Sequence, residues 1–414
     1  MSAPGAPEEQ PDPVRRPSVG VPAERRHGER RVALTPAAVG SLDKLGLAPV
    51  VEAGAGLEAG YPDSAYAERG ATLGSRQDAL AADVVAMVRV AAGDPASPDL
   101  ERLSAGQIVV GMAAPLAAPD LAAAVAATGA TLFSLELLPR TTRAQPMDVL
   151  SSQASVAGYK AVLIAADALP KMFPMMTTAA GTLAPARVFV VGAGVAGLAA
   201  IAAARRLGAV VEAYDVRPAV KEEVQSLGAR FVEIELETGQ EGSGSGAYAA
   251  RMTEETLRRQ RELMTRVVAS SDVVITTAQV QGARAPVLVT VDMVAGMAPG
   301  SVIVDLAASQ GGNCELSRPD ETVEVGGVRI VGAGDLAATI PHHASQLYGK
   351  NLANFIQLLV DDGRLVPPED DDIVRETMVT SGGSVVHPRV REALGEPRPP
   401  EPEEAQAPHA EAPR

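Results

Sequence analysis

Short Val- and Ile-rich runs alternate along the chain with Ala-rich segments whose apolar residues recur at helical spacing. That alternation is the pattern of parallel sheets covered by helices on both faces, so the fold class is α/β. In the first half the pattern predicts strands near 49–52, 84–90, 107–112 and 131–134, with helices near 36–45, 77–82 and 120–128. A long helix follows over about 151–169. After it come strands at 187–191, 210–214, 230–232, 273–276, 301–305 and 328–331, a complete doubly wound set. The helix near 344–360 lies beyond this set and is expected to return to the first half. The expected architecture is two Rossmann-like doubly wound domains flanking a cleft, joined by long interdomain helices. The boundaries are a first, discontinuous domain at 21–142 plus 341–394 and a second at 143–340. Residues 1–20, with five prolines and no apolar stretch, are expected to be a disordered arm, and the Pro- and Glu-rich residues 395–414 a disordered tail.

Composition narrows the function. At 414 residues there is chain for two or three domains. Apolar residues make up 46% but aromatics only 3%, with no Trp, so the core must come from Ala, Val, Leu and Ile. This favours helix-on-sheet packing. With 36 Lys and Arg against 51 Asp and Glu, the net charge is −15, the wrong sign for a protein that holds nucleic acid by its phosphates. The single cysteine, Cys314, excludes an internal disulfide, and the five histidines show no metal-ligand spacing, so no metal is expected. The uncharged run Val188–Ala204 carries three patterned glycines and reads as a strand and a helix. No direct membrane span and a cytoplasmic location are therefore expected.

The strongest motif is Gly192-Ala193-Gly194-Val195-Ala196-Gly197, which follows an apolar strand, opens an Ala-rich helix and precedes Asp215 at the end of the next strand. This is the dinucleotide fingerprint. Gly192 permits the tight turn, Gly194 lets a pyrophosphate approach the backbone, and Gly197 lets helix and strand pack closely. Asp215 is positioned for the adenosine ribose hydroxyls. Its charge repels a 2′-phosphate, so NAD(H) is favoured, with Arg217 as the feature that favours NADP(H).

Other segments admit two readings on residues alone. The basic stretch 24–36, with Thr35 at an N-cap and Pro36 after it, suits a solvated turn better than an anion site. The segment 140–153 (RTTRAQPMDVLSSQ) is equally a polar helix cap or a ligand loop. The Gly/Ser-rich segment 239–248, ending in Tyr248, is a linker or a mobile lid. Gly332 and Gly334 read as a loop bordering the cleft, His342 and His343 as surface or cap residues, and Cys314 as inert.

Taken together, ERRHGERRVALTP at 24–36, PRTTRAQPMDVLSSQ at 139–153, FPMMTTAAGT at 173–182, VGAGVAGL at 191–198, DVRP at 215–218, SDVVITTA at 271–278, GGNC at 311–314, SQLYGKN at 345–351 and VVHP at 385–388 are highly specific. From about Glu24 to Pro388 the chain resembles the NAD(H)-binding subunit family of proton-translocating nicotinamide nucleotide transhydrogenase, which is related to alanine dehydrogenase. The resemblance implies direct hydride transfer between NADH held here and NADP⁺ held by a partner, coupled to inward proton movement through membrane subunits. It implies a homodimer, docked on an NADP(H)-binding membrane beta subunit and a small membrane alpha subunit and so peripheral to the inner membrane, with NADP(H) bound only by the partner. Arg140, Asp148 and Ser151 match the residues that hold the nicotinamide carboxamide, and Gln145 the one that reaches the ribose beside the partner's nucleotide. Tyr248 matches the tip of the loop that closes over the nucleotide. Val216, Arg217, Thr277 and Ala278 complete the expected cofactor contacts. Hydride transfer asks the protein to position rings and exclude water, without a general acid or base.

The competing enzyme reading is a stand-alone NAD-dependent amino- or keto-acid dehydrogenase of the alanine dehydrogenase type, with a carboxylate held by Arg25, Arg30 or Arg31. Met87 stands where both families usually carry Lys, 111–115 (GMAAP) lacks the dehydrogenase's His, and Ser309 replaces its Asp. A third reading is an NADH-binding regulatory module whose departures at Met87, Ser309 and Thr339 reflect lost turnover.

Overall fold

β-Branched residues fit a pleated surface buried on both sides, and each Val- and Ile-rich run becomes a strand in one of two sheets. The computed structural model describes residues 15–233, 254–279, 283–368 and 370–396. The first sheet holds β1 (Ser18–Val21), β2 (Ala48–Glu52), β3 (Thr72–Gly74), β4 (Val84–Arg89), β5 (Ile108–Met112) and β6 (Thr131–Ser134), all parallel, in the order β3-β2-β1-β4-β5-β6. An antiparallel hairpin from the far end of the chain, Met378–Ser381 and Ser384–Val385, extends it beyond β6. The second sheet holds β7 (Arg187–Val191), β8 (Val210–Tyr214), β9 (Arg230–Phe231), β10 (Val273–Thr276), β11 (Val302–Asp305), β12 (Thr322–Val325) and β13 (Val328–Gly332). Its order is β9-β8-β7-β10-β11-β13-β12, parallel except for the edge strand β12. Both sheets are doubly wound, as the alternation predicts. Strand order reverses between β1 and β4 in one and between β7 and β10 in the other.

The structure corrects the expected arm at its inner end. Ser18–Val21 form β1 at the middle of the first sheet, with Val19 and Val21 fully buried. A Cβ at Gly20 would lie 1.7 Å from Ala79 O, so this strand runs hard against a neighbouring helix. Four residues following a Pro-rich stretch carry too little periodicity to announce a strand. Edge strand β3 is largely exposed and lacks apolar alternation, which hid it in the same way.

Four helices matter for the site: α1 (Pro36–Lys44), α2 (Val149–Ala168), α3 (Val195–Arg206) and α4 (Pro341–Leu358). Thr35 and Pro36 start α1 as expected, although no side chain caps it. By length and composition α2 could cross a membrane, which its residue pattern did not announce. One face of it, with Ala161, Val162 and Ala165, is buried against the second sheet. Its Gly158 lets it touch α3, since a Cβ there would lie 2.0 Å from Ala196 O. Helix α4 inserts Tyr348, Leu352, Phe355 and Ile356 into the core of the first sheet and also packs on α2.

The basic stretch at 24–36 divides in two. Arg25, Arg26, His27 and Gly28 form an exposed turn, as expected, whereas Glu24, Glu29 and Arg31 fold over the carboxyl ends of β1 and β4 as a charge cluster. Arg31, with its side chain only 1% exposed, forks onto Glu29 (Nε to Oε1 2.7 Å, Nη2 to Oε2 2.6 Å), donates to Gln153 Oε1 at 2.9 Å, and meets Asp335. Arg89 Nη2 donates to the same Asp335 oxygen at 2.8 Å. Asp335 follows β13, so this carboxylate clasps the second sheet's loop to the first sheet. Burial pushes the Asp335 carboxyl up, but Arg31 and Arg89 outweigh it and hold the group below the ordinary carboxylate range. Glu24 accepts from the Val88 and Arg89 N–H groups at 2.6 and 3.1 Å, yet burial dominates and raises its carboxyl to about 7.

Candidate functional site

The glycine turn sits at the switch point of the second sheet, between the ends of β7 and β10. Gly192 has φ +97, and a Cβ would meet Thr277 Oγ1 at 2.6 Å, so the turn admits only glycine. At Gly197 a Cβ would lie 1.9 Å from Gly192 O, which fixes the close approach of α3 to the turn. Gly194 differs. The only heavy atom near its absent Cβ is Arg217 Nη2, at 4.0 Å. Among the described residues no protein contact requires glycine there; the open space is on the side from which a ligand backbone or phosphate would arrive. No described side chain caps the start of α3, so its first N–H groups remain for an anion.

Asp215 ends up beside the turn. Its carboxylate accepts from Ala193 N–H at 2.7 Å and from Arg217 N–H at 2.9 Å, and Arg217 Nε and Nη2 close a two-pronged bond at 3.0 Å each. Burial works against its charge, but these donors prevail and the carboxyl lies below its ordinary value.

A cleft of about 930 Å³ opens over this switch point. It is lined by Gly192, Gly194, Val195, Asp215, Val216, Arg217, Thr277 and Ala278 on one side, and by Arg140, Gln145, Asp148 and Ser151 on the other. Two separate stretches of sequence thus face one another. A second cavity of about 420 Å³ shares Arg140, Ser151, Gly194, Val195 and Thr277 with it, and brings in Ala196 and Gln310. Asp148 caps α2, accepting from Ser151 N–H at 2.9 Å and from the Ser151 hydroxyl at 2.6 Å. The two readings of this segment are compatible, because the cap holds Asp148 and Ser151 rigid at the cleft wall. Arg140 and Gln145 are exposed, and their side chains make no hydrogen bond or ion pair among the described residues, so their donors and acceptors are free for a ligand. Ala193 and Gly197 shape the turn from behind. Tyr248 and the segment 239–248 lie outside the described residues.

Sequence reasoning gave no role to Asn313. Its fully buried amide accepts from Ala278 N–H at 2.9 Å and donates to Ala278 O and Pro286 O at 2.9 and 2.8 Å, pinning two cleft-lining segments together. Its place directly after the adjacent glycines Gly311 and Gly312, both of which take positive φ in the structure, was the available signal. The pair Gly332 and Gly334 does not line the cleft. It packs against the 318–321 turn and delivers Asp335. His342 stacks on Tyr61 with ring centroids 4.5 Å apart. Burial pushes the Cys314 thiol up to about 11, so it stays protonated and inert.

The cleft therefore offers an open glycine backbone, an uncapped helix start, a paired carboxylate and free polar groups opposite, a donor set that fits a dinucleotide. In comparisons with known proteins, residues 20–157 match the alanine dehydrogenase/PNT N-terminal domain and residues 161–388 its C-terminal domain. The first part of NAD(P) transhydrogenase subunit alpha from Rhodospirillum rubrum is 44% identical over 375 residues, spanning 89% of this chain and 98% of that one. The crystal structure of transhydrogenase from Sinorhizobium meliloti superimposes with a TM-score of 0.81 at 44% identity, covering 89% of this chain and all of that one. An L-alanine dehydrogenase structure is more distant, at 25% identity and a TM-score of 0.77 over 91% and 99% of the two chains.

Proposed function

The chain belongs to the alanine dehydrogenase/PNT family, and we propose that within it the chain is the NAD(H)-binding subunit of a proton-translocating NAD(P) transhydrogenase. The observation that carries this reading is the facing of Arg140, Gln145, Asp148 and Ser151 across one cleft from the glycine turn and Asp215. Gly192, Gly194 and the start of α3 hold the pyrophosphate, and Asp215 the adenosine ribose. Arg140, Asp148 and Ser151 orient the carboxamide. Gln145, at the exposed edge, meets the nucleotide carried by the partner. Bound NADH supplies a hydride from its nicotinamide C4, which adds to C4 of NADP⁺, giving NAD⁺ and NADPH with no proton released to a side chain.

The chain's own contribution is alignment and exclusion of water. No titrating acid or base is called for, and the residues opposite the turn supply none with the histidine chemistry a keto-acid dehydrogenase needs. Met87 is buried in an apolar cluster, its carbonyl accepting from Tyr348, and Arg31 is fully committed to Glu29, Gln153 and Asp335. The engaged Arg31 weighs against the alternative reading, which needs a free cation for a substrate carboxylate. The proposal includes a homodimer, a beta subunit that alone binds NADP(H) and forms the membrane path, a small membrane alpha subunit, and a peripheral cytoplasmic position. The exposed hairpin Met176–Thr178 and Gly181–Leu183, with Met175 and Leu183 standing in solvent, supports a self-association surface.

The test mixes the purified chain and NADH with a separately produced NADP-binding transhydrogenase component and an NADP⁺ analogue, against a control with pyruvate and ammonium. Reduction of the nucleotide alone supports the reading, and turnover with pyruvate alone overturns it.

A further inference from the structure

Among the described residues that line the cleft, Arg217 is the basic side chain on the Asp215 side, and it is not idle. Its guanidinium is half exposed, lines the cleft, and forks onto both oxygens of Asp215, whose own side chain is only 7% exposed. The carboxylate also accepts from the Arg217 N–H, so backbone and side chain are held by the same group. A ribose 2′-hydroxyl that reaches Asp215 therefore lies next to a planar cation already aimed into the cleft. A 2′-phosphate in that position would meet the carboxylate first, and would have to displace it to gain the guanidinium's fork, the geometry that suits phosphate oxygens.

We propose that Arg217 is a preformed 2′-phosphate ligand kept out of use by Asp215, so that this single ion pair sets the choice between NAD(H) and NADP(H). The inference rests on the reading that the cleft binds a dinucleotide and adds the element that decides which one. Asp215 alone would discriminate by repulsion. Paired with Arg217, it discriminates by occupying the group best placed to neutralise the extra phosphate. Asp215→Asn keeps an acceptor for the Ala193 N–H, which preserves the glycine turn, while its amide, uncharged and with a single acceptor oxygen, cannot hold the guanidinium in a two-pronged ion pair.

The experiment titrates the full chain with NADH and with NADPH, each followed by nucleotide fluorescence. Wild type should bind NADH and discriminate strongly against NADPH; failure to bind NADH at all would sink the dinucleotide reading itself. Asp215→Asn should bind NADPH at least tenfold more tightly than wild type, and Asp215→Asn with Arg217→Ala should lose that gain. An Asp215→Asn chain with unimproved NADPH affinity, or a double variant that keeps the gain, overturns the proposal. Arg217→Gln in the wild-type background provides an arm that leaves the turn intact. It leaves Asp215 unopposed, so NADPH binding should weaken at least threefold more than NADH binding; an unchanged ratio overturns the proposal as well.

Discussion

Asp335→Ala removes the carboxylate that clasps the two sheets. Breaking a buried ion pair by deleting one partner typically costs about 3–5 kcal/mol. Arg31 keeps its fork on Glu29, and Asp335 is 32% exposed, so solvent takes over part of the load. About 2 kcal/mol is the expected loss here. Because Arg31 and Arg89 hold this carboxyl below its ordinary value, its contribution is complete above that ordinary value. The contribution is lost as pH falls through the depressed folded value. Urea unfolding at pH 7, followed by far-UV circular dichroism since the chain has no Trp, should show the loss, and the gap between variant and wild type should narrow at pH 3. A variant within about 0.5 kcal/mol of wild type at pH 7 would refute the clasp. A gap unchanged at pH 3 would refute its ionic origin.

Glu24 works in the opposite direction. Its carboxyl is raised to about 7, so the folded state holds a proton that the unfolded chain releases, and stability declines as pH rises from about 4.5 to 7. Glu24→Gln should therefore gain about 1–2 kcal/mol over wild type at pH 8 and nothing at pH 4, measured by the same urea titrations. Gly197→Ala drives a methyl into Gly192 O, and NADH affinity should fall at least tenfold in a fluorescence titration. Asn313→Ala leaves the Ala278 and Pro286 backbone groups without their buried partner and should destabilise by about 2–3 kcal/mol in thermal unfolding, with a weaker hold on NADH.

The sheets were legible because fully buried parallel strands are continuous Val and Ile runs, and β7, β8 and β10 fall at the residues the pattern names. Strands β1, β3 and the 378–385 hairpin were not, because short or edge strands owe their pairing to neighbours far along the chain. The turn at 192–197 and Asp215 were readable as one motif because their spacing is local. Only folding could bring 140–151 across from them. The role of the 24–36 stretch was hidden for the same reason. Arg31 reads as a surface charge until Gln153 and Asp335, more than a hundred residues on, arrive beside it. Asp148 shows that a cap and a cleft wall can be one residue, so composition alone had no means to choose between those roles.

The central claim is direct transfer between two nicotinamides with no protein acid or base in between. NADH carrying deuterium at the transferred C4 position is incubated with the chain, the NADP-binding component and NADP⁺ in ordinary water, and the NADPH formed is analysed by mass spectrometry. The account predicts that the deuterium is retained in the NADPH. Label lost to water, with protium in the product, would contradict it.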